Sequence, residues 1–195
     1  MKIIFAQGNP GIQYNKTRHN IGYIFADLLT KKWGIDFTAK SKFHADIAEV
    51  SRAGEKILIV KPTTFYNDTG QSAQMIIDFY KLDPANDLLV IHDDLALPFG
   101  TIRTREQGRD AGNNGIKSLN AHIGEQHKRI RVGIYNPLRD RMHDADFVLG
   151  TFSLDEQKAL PELFAAAEPF IDHFIDDSFP STKVTIPTAQ HNKDS

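Results

Sequence analysis

Apolar residues in this chain follow two rhythms. Short runs at 2–7, 45–50, 56–61, 88–92, 101–105 and 129–135 are continuous or alternate with period two, the pattern of strands. Longer segments at 21–33, 70–80, 115–123 and 154–175 repeat apolar positions every three or four residues, the pattern of helices with one buried face. Ile21, Phe25, Leu28, Leu29 and Trp33 form one such stripe; Leu160, Leu163, Phe164, Ala167, Phe170, Ile171 and Phe174 form another. The short turn Arg52-Ala53-Gly54-Glu55 makes a hairpin of the second and third strands. Strands alternating with helices predict a single-domain α/β fold, with a mixed, mostly parallel twisted sheet flanked by helices. The domain is expected to span 1–180, and the polar segment 181–195 to be a flexible tail.

The loops after three strands carry the candidate chemistry. Asn9 follows the first strand, Asn67 lies shortly after the third, and Asp93-Asp94 follows the fourth. If these strands are parallel neighbours, their carboxyl ends share one sheet edge, where open α/β sheets build sites. His19, from the loop leading into the first helix, would then meet Asn9, Asn67 and Asp93 in one crevice. A carboxylate on one imidazole nitrogen fixes the tautomer, leaving the other nitrogen to take a proton from water. Side-chain amides donate to a carbonyl oxygen as it becomes an oxyanion. Together these groups suit direct hydrolysis of an activated acyl group such as an ester. Plainer readings stay open on the residues alone: Asn9-Pro10-Gly11 as a turn, Asn20 as a helix cap, and the two aspartates as turn residues.

Composition narrows the choice. The chain has 195 residues, 41% hydrophobic and 25% charged, and no cysteine, which removes disulfides, thiol catalysis and cysteine-ligated metals. No run of about 18 apolar residues marks a membrane span. The chain opens directly on a strand pattern, so no leader and a cytoplasmic location are expected. Metal binding by His19, His92, Asp93 and Asp94 lacks a recognisable ligand spacing, and no metal or other cofactor is expected. Lys16-Thr17 lacks the glycines of a phosphate loop, which argues against a nucleotide site. Net charge is −2 but unevenly spread: residues 1–143 carry +5 and residues 144–195 carry −7. Arg103 and Arg105 fall on one strand face, as do Arg129 and Arg131, and Lys117 lies just inside a helix; together they would form a basic rim for phosphates.

Six ordered blocks resemble those of the bacterial peptidyl-tRNA hydrolase family. They are Gly8-Asn9-Pro10-Gly11 with Tyr14 and Thr17-Arg18-His19-Asn20, then Lys61-Pro62-Thr63-Thr64-Phe65-Tyr66-Asn67 with Gly70, and His92-Asp93-Asp94-Leu95 through Leu97-Pro98-Phe99-Gly100. Ala111-Gly112-Asn113-Asn114-Gly115-Ile116-Lys117-Ser118, Arg129-Ile130-Arg131-Val132-Gly133-Ile134 and Phe147-Val148-Leu149-Gly150 complete the set. The resemblance implies cleavage of the ester between a peptide and the terminal ribose of tRNA, without metal or nucleotide. It implies His19 as base, Asp93 as its carboxylate and Asn9 as the amide sensing the peptide. Tyr14, Phe65, Asn67 and Asn114 would contact the substrate. It also implies a monomer with no protein partner, peptidyl-tRNA being the partner.

The chain departs from the family pattern at several positions. Tyr66 stands where methionine is usual and Asn113 where histidine is usual; both are expected to line the pocket. Ala96 replaces a common aspartate, and Gly108-Arg109-Asp110 and Tyr135-Asn136-Pro137 also differ. The alternative reading is a tRNA- or acyl-ester-binding paralogue with an altered substrate or lost turnover.

Overall fold

The computed structural model describes residues 1–188. Its sheet has eight strands: β1 (Lys2–Ala6), β2 (Thr38–Lys40), β3 (Ala45–Arg52), β4 (Glu55–Pro62), β5 (Leu88–Pro98), β6 (Thr101–Arg105), β7 (Lys128–Tyr135) and β8 (Lys183–Thr185). Their order is β2-β3-β4-β1-β5-β7-β6-β8. The four central strands are parallel, and the outer ones attach antiparallel on both sides. The expected hairpin is β3–β4. The helices are α1 (Ile21–Trp33), α2 (Thr69–Tyr80), α3 (Pro84–Asp87), α4 (Asn114–Ile123), α5 (Asp144–Leu149) and α6 (Leu154–Ile175).

Alternation along β1 divides the interior into two cores. Ile4 and Ala6 face Phe25 and Leu29 of α1 and Leu163, Ala167 and Ile171 of α6. Ile3 and Phe5 face the other layer, with Ala73 and Ile76 of α2 and Ile116 and Leu119 of α4. The helical stripes read from the sequence are therefore core, and each fully buried Leu, Ile or Phe contributes roughly 1.5–3 kcal/mol. Among the described residues no helix is long and apolar enough to cross a membrane.

Connectivity locates the crevice. The chain leaves β1 through α1 toward β4 on one side, and leaves β5 toward β7 on the other. The carboxyl ends of β1 and β5 thus flank the point where the connections diverge, the usual ligand position in such sheets. Glycine at 22 lets α1 start directly above these ends: a Cβ there would lie 2.5 Å from the Gln7 carbonyl and 2.6 Å from that of Ile91.

Three differences from the sequence expectations have physical causes. β5 continues past His92, with Asp93 opposite Val132 and Asp94 opposite Gly133 before the register shifts toward Pro98. Asp93 is a strand residue, not part of a turn, because its side chain finds partners within the fold. Residues 183–185, expected in a flexible tail, instead form β8 and pair with β6; the remainder of that tail from 189 onward lies outside the described residues. Asn20 stands at the α1 N-cap position without capping it. Its amide accepts from the Asn9 backbone N–H and donates to the Asn9 carbonyl, both at 2.9 Å, tying the helix to the loop after β1.

Candidate active site

A cavity of about 570 Å³ opens at the carboxyl ends of β1 and β5. It is lined by Asn9, Tyr14, His19, Phe65, Tyr66, Asn67, Asp93, Asn113, Asn114 and Arg131, so ten of the thirteen residues expected at the site meet there. The other three lie outside it. Arg103 and Arg105 sit on β6, and Lys117 is exposed on α4.

His19 is held in a single 3-10 turn, Arg18–Asn20. The residue before it anchors that turn. Arg18 is buried and donates to Glu156 Oε2 at 2.8 Å and to the Thr151 carbonyl at 2.7 Å, with its guanidinium 4.6 Å from the Phe147 ring. Glu156 is the capping-box residue of α6 and also accepts from Asn136. The imidazole Nδ1 lies 3.0 Å from both carboxylate oxygens of Asp93. A carboxylate there requires Nδ1 to carry the proton, leaving Nε2 unprotonated. Burial pushes the Asp93 carboxyl up, but the charge His19 carries when protonated and the hydrogen bonds from His19 and Tyr66 outweigh it and hold it below the ordinary carboxylate range.

The amides are equally constrained. Asn9 Oδ1 accepts from the Tyr66 backbone N–H at 2.8 Å, which turns its Nδ2 toward the cavity as a donor. Asn113 caps α4 by accepting from the Ile116 N–H at 3.0 Å. Tyr66 is buried, while Phe65 and Asn67 on either side are exposed at the rim. Arg131 pairs with Asp94 at 2.7 Å, so Asp94 belongs to the basic strand instead of the base. His92 turns inward: its Nδ1 donates to the Asp93 carbonyl at 2.7 Å. Among the described residues, no three or more His, Asp or Glu side chains are grouped to hold a metal ion.

Sequence reasoning missed one part of the cavity lining. It is made by Asp144, Val148 and Leu149 of α5 and by Arg139, which reaches Asp144 with two hydrogen bonds of 2.9 and 3.2 Å. The block containing Val148 and Leu149 was visible, but six residues are too few to show helical periodicity. Arg129 was expected beside Arg131 in an exposed rim. It is buried instead, with its guanidinium donating to the Arg109 carbonyl at 3.0 Å.

A family model described as peptidyl-tRNA hydrolase matches residues 3–194. The chain is 49% identical over 163 residues to the peptidyl-tRNA hydrolase of Fusobacterium nucleatum, covering 84% of this chain and 83% of the relative. It is 48% identical over 154 residues to that of Lactiplantibacillus plantarum, covering 78% and 81%. The crystal structure of peptidyl-tRNA hydrolase from Acinetobacter baumannii superposes with a TM-score of 0.83 at 30% identity, covering 91% of this chain and 89% of that one. With the sheet, the cleft and the ordered blocks in agreement, this chain belongs to the peptidyl-tRNA hydrolase family.

Proposed function

We propose that the cleft hydrolyses the ester joining a peptide to the terminal ribose of tRNA. His19 acts as general base and Asp93 holds it in the reactive tautomer. The observation that carries this reading is the pairing of His19 Nδ1 with both Asp93 oxygens at 3.0 Å, at the wall of a cavity that Asn9 also lines. Nε2 removes a proton from water as the water oxygen attacks the ester carbonyl carbon. The tetrahedral oxyanion then collapses, the bond to the ribose oxygen breaks, and that oxygen takes the proton back from His19. Asn9 Nδ2 donates to a peptide carbonyl, with Asn67 and Asn114 as further amides for the peptide and the tRNA end. Tyr14 and Phe65 offer faces for the substrate. We propose action as a monomer, as the family resemblance implies.

The test pairs two substrates. Purified protein is expected to release tRNA from peptidyl-tRNA, to leave aminoacyl-tRNA with a free amino group largely intact, and to be unaffected by a chelator. No release from peptidyl-tRNA would overturn the assignment.

Phosphates of the tRNA are assigned to the β6–β7 face. Arg103 stands opposite Arg131, and Arg105 opposite Arg129. Like charges directly across a strand pair repel, which costs stability unless an anion offsets them. Asp94 does this for Arg131; Arg103 has no ion pair among the described residues. Lys117 on α4 is a further candidate phosphate contact. Replacing Arg103 and Arg105 together with glutamine is expected to weaken tRNA binding. The plot of log K against log salt should become shallower by about 1–2, while small ester substrates are cleaved at the wild-type rate. Equal loss on both substrate classes would show that these arginines support the fold, not the tRNA.

A further inference from the structure

Tyr66 touches both members of the His19–Asp93 pair. Its ring stacks on the imidazole with centroids 3.4 Å apart and planes 14° from parallel. Its hydroxyl donates to Asp93 Oδ1 at 2.5 Å, while Asn113 Nδ2 donates to the hydroxyl oxygen at 3.0 Å. The proton directions follow from the far end of this chain. Asn113 Oδ1 is committed to the Ile116 N–H as the α4 cap, so only its amino group faces Tyr66. A phenol oxygen that accepts a hydrogen bond from Asn113 turns its own O–H toward the carboxylate. Burial, reinforced by the Asp93 charge, holds the phenol well above its ordinary range, so it stays a donor at working pH. Glycine at 115 permits the arrangement, since a Cβ there would lie 2.3 Å from the Tyr66 ring.

We propose that Tyr66, oriented by Asn113, is a positioning residue that fixes the plane of the His19 imidazole and moderates the carboxylate supporting it. Its role in turnover rests on the reading of His19 as base. The stack limits rotation of the imidazole, keeping Nδ1 on Asp93 and Nε2 on the cleft side. A stacked ring face also favours the imidazolium that forms during the reaction. The hydroxyl acts in the opposite sense. By hydrogen bonding to Asp93 it disperses negative charge that would otherwise act on the imidazolium, so the base gives up its proton more readily. One side chain thus controls both orientation and protonation, and Asn113 controls which way its proton points.

The two contributions separate on mutation. Tyr66→Phe keeps the ring and removes the hydroxyl. The acidic limb of its kcat/KM profile is expected to move up by about 0.5–1 pH unit, a loss of about 3- to 10-fold on the acid side that recovers on the alkaline side. KM should be nearly unchanged. Asn113→Ser keeps an acceptor for the helix cap but lacks the amino donor, and should move the limb in the same direction by less. Tyr66→Leu removes ring and hydroxyl together and should lower kcat at every pH. In parallel, the imidazole ¹⁵N resonances of His19 are titrated in the wild type and in Tyr66→Phe; the midpoint should rise with the variant. An unchanged His19 midpoint in folded Tyr66→Phe overturns the proposal, even where the wild type cleaves peptidyl-tRNA. If the wild type does not cleave it, the base assignment fails, and the resonance titration still decides whether Tyr66 acts on His19.

Discussion

His19→Ala is expected to lower kcat on peptidyl-tRNA by about 10³-fold, with KM close to the wild type. Among the described residues the imidazole is the one group at the cleft with a ring nitrogen held ready by a buried carboxylate. Alanine removes the proton acceptor and leaves the peptide and tRNA contacts in place, so the loss belongs in kcat. The protein should stay folded, because Asp93 keeps its hydrogen bond from Tyr66 at 2.5 Å and the turn is anchored by Arg18, although Asp93 Oδ2 loses its hydrogen bond from the imidazole. Asp93→Asn should cost about 10²-fold or more for a different reason. An asparagine amino group facing Nδ1 forces the proton onto Nε2, and the base is then unavailable. Single-turnover release of tRNA measures both. Activity within a few-fold of wild type in either variant would remove that residue from the mechanism.

Much of this site was legible because its parts stand at strand ends. Asn9 and Asp93 lie where parallel strands expose their carboxyl edges, and β1, β4 and β5 are indeed neighbours. What could not be read is how side chains partition between neighbours. Asp93 and Asp94 are adjacent in the chain, yet one supports His19 and the other pairs with Arg131. Alternation along β5 decides this, and it requires knowing that the strand runs through both residues to Pro98. Aspartate is a poor strand former, so local preference suggested a turn and tertiary partners overrode it. Arg129 was misplaced for a related reason. The period-two pattern put it on the Arg131 face, but long guanidinium stems fold back to find carbonyls, and period alone does not report that. β2, β8, α3 and α5 were missed because three to six residues carry too little repetition. The Tyr66–Asn113 contact is a product of packing: 47 residues separate two polar side chains joined by one hydrogen bond.

Lowering the pH from 7 to 5 is expected to remove about 4 kcal/mol of folding stability through two buried histidines that take no part in the chemistry. His92 and His127 each place Nδ1 on a backbone carbonyl, that of Asp93 at 2.7 Å and that of Gly124 at 3.2 Å. A carbonyl there requires Nδ1–H, and each Nε2 is buried without a hydrogen-bond partner among the described residues. Protonation would create a buried cation with an unsatisfied donor. Burial, reinforced by the nearby Arg129 charge, lowers both to about 4 from an ordinary value of 6.5. Between those values the unfolded chain binds more protons than the folded one, so acidification pulls toward unfolding, by roughly 2 kcal/mol per histidine at pH 5. Below about pH 4 the folded groups titrate too and the loss levels off. Asp93, whose carboxyl is lowered, weakens the fold only as pH drops below its unfolded value near 4, so pH 5–7 isolates the histidines. The loss is a large share of a typical 5–15 kcal/mol. Asparagine at both positions retains a donor for each carbonyl and cannot titrate. Urea unfolding should therefore give a wild-type stability that falls steeply from pH 7 to 5, and a double-variant stability that is nearly flat. Equal slopes would mean that the two imidazoles are not held neutral by the fold. The same scan separates two acid effects on turnover: protonation of the base is reversed at once on return to neutral pH, whereas unfolding around His92 disturbs the strand that carries Asp93 and must be reversed by refolding.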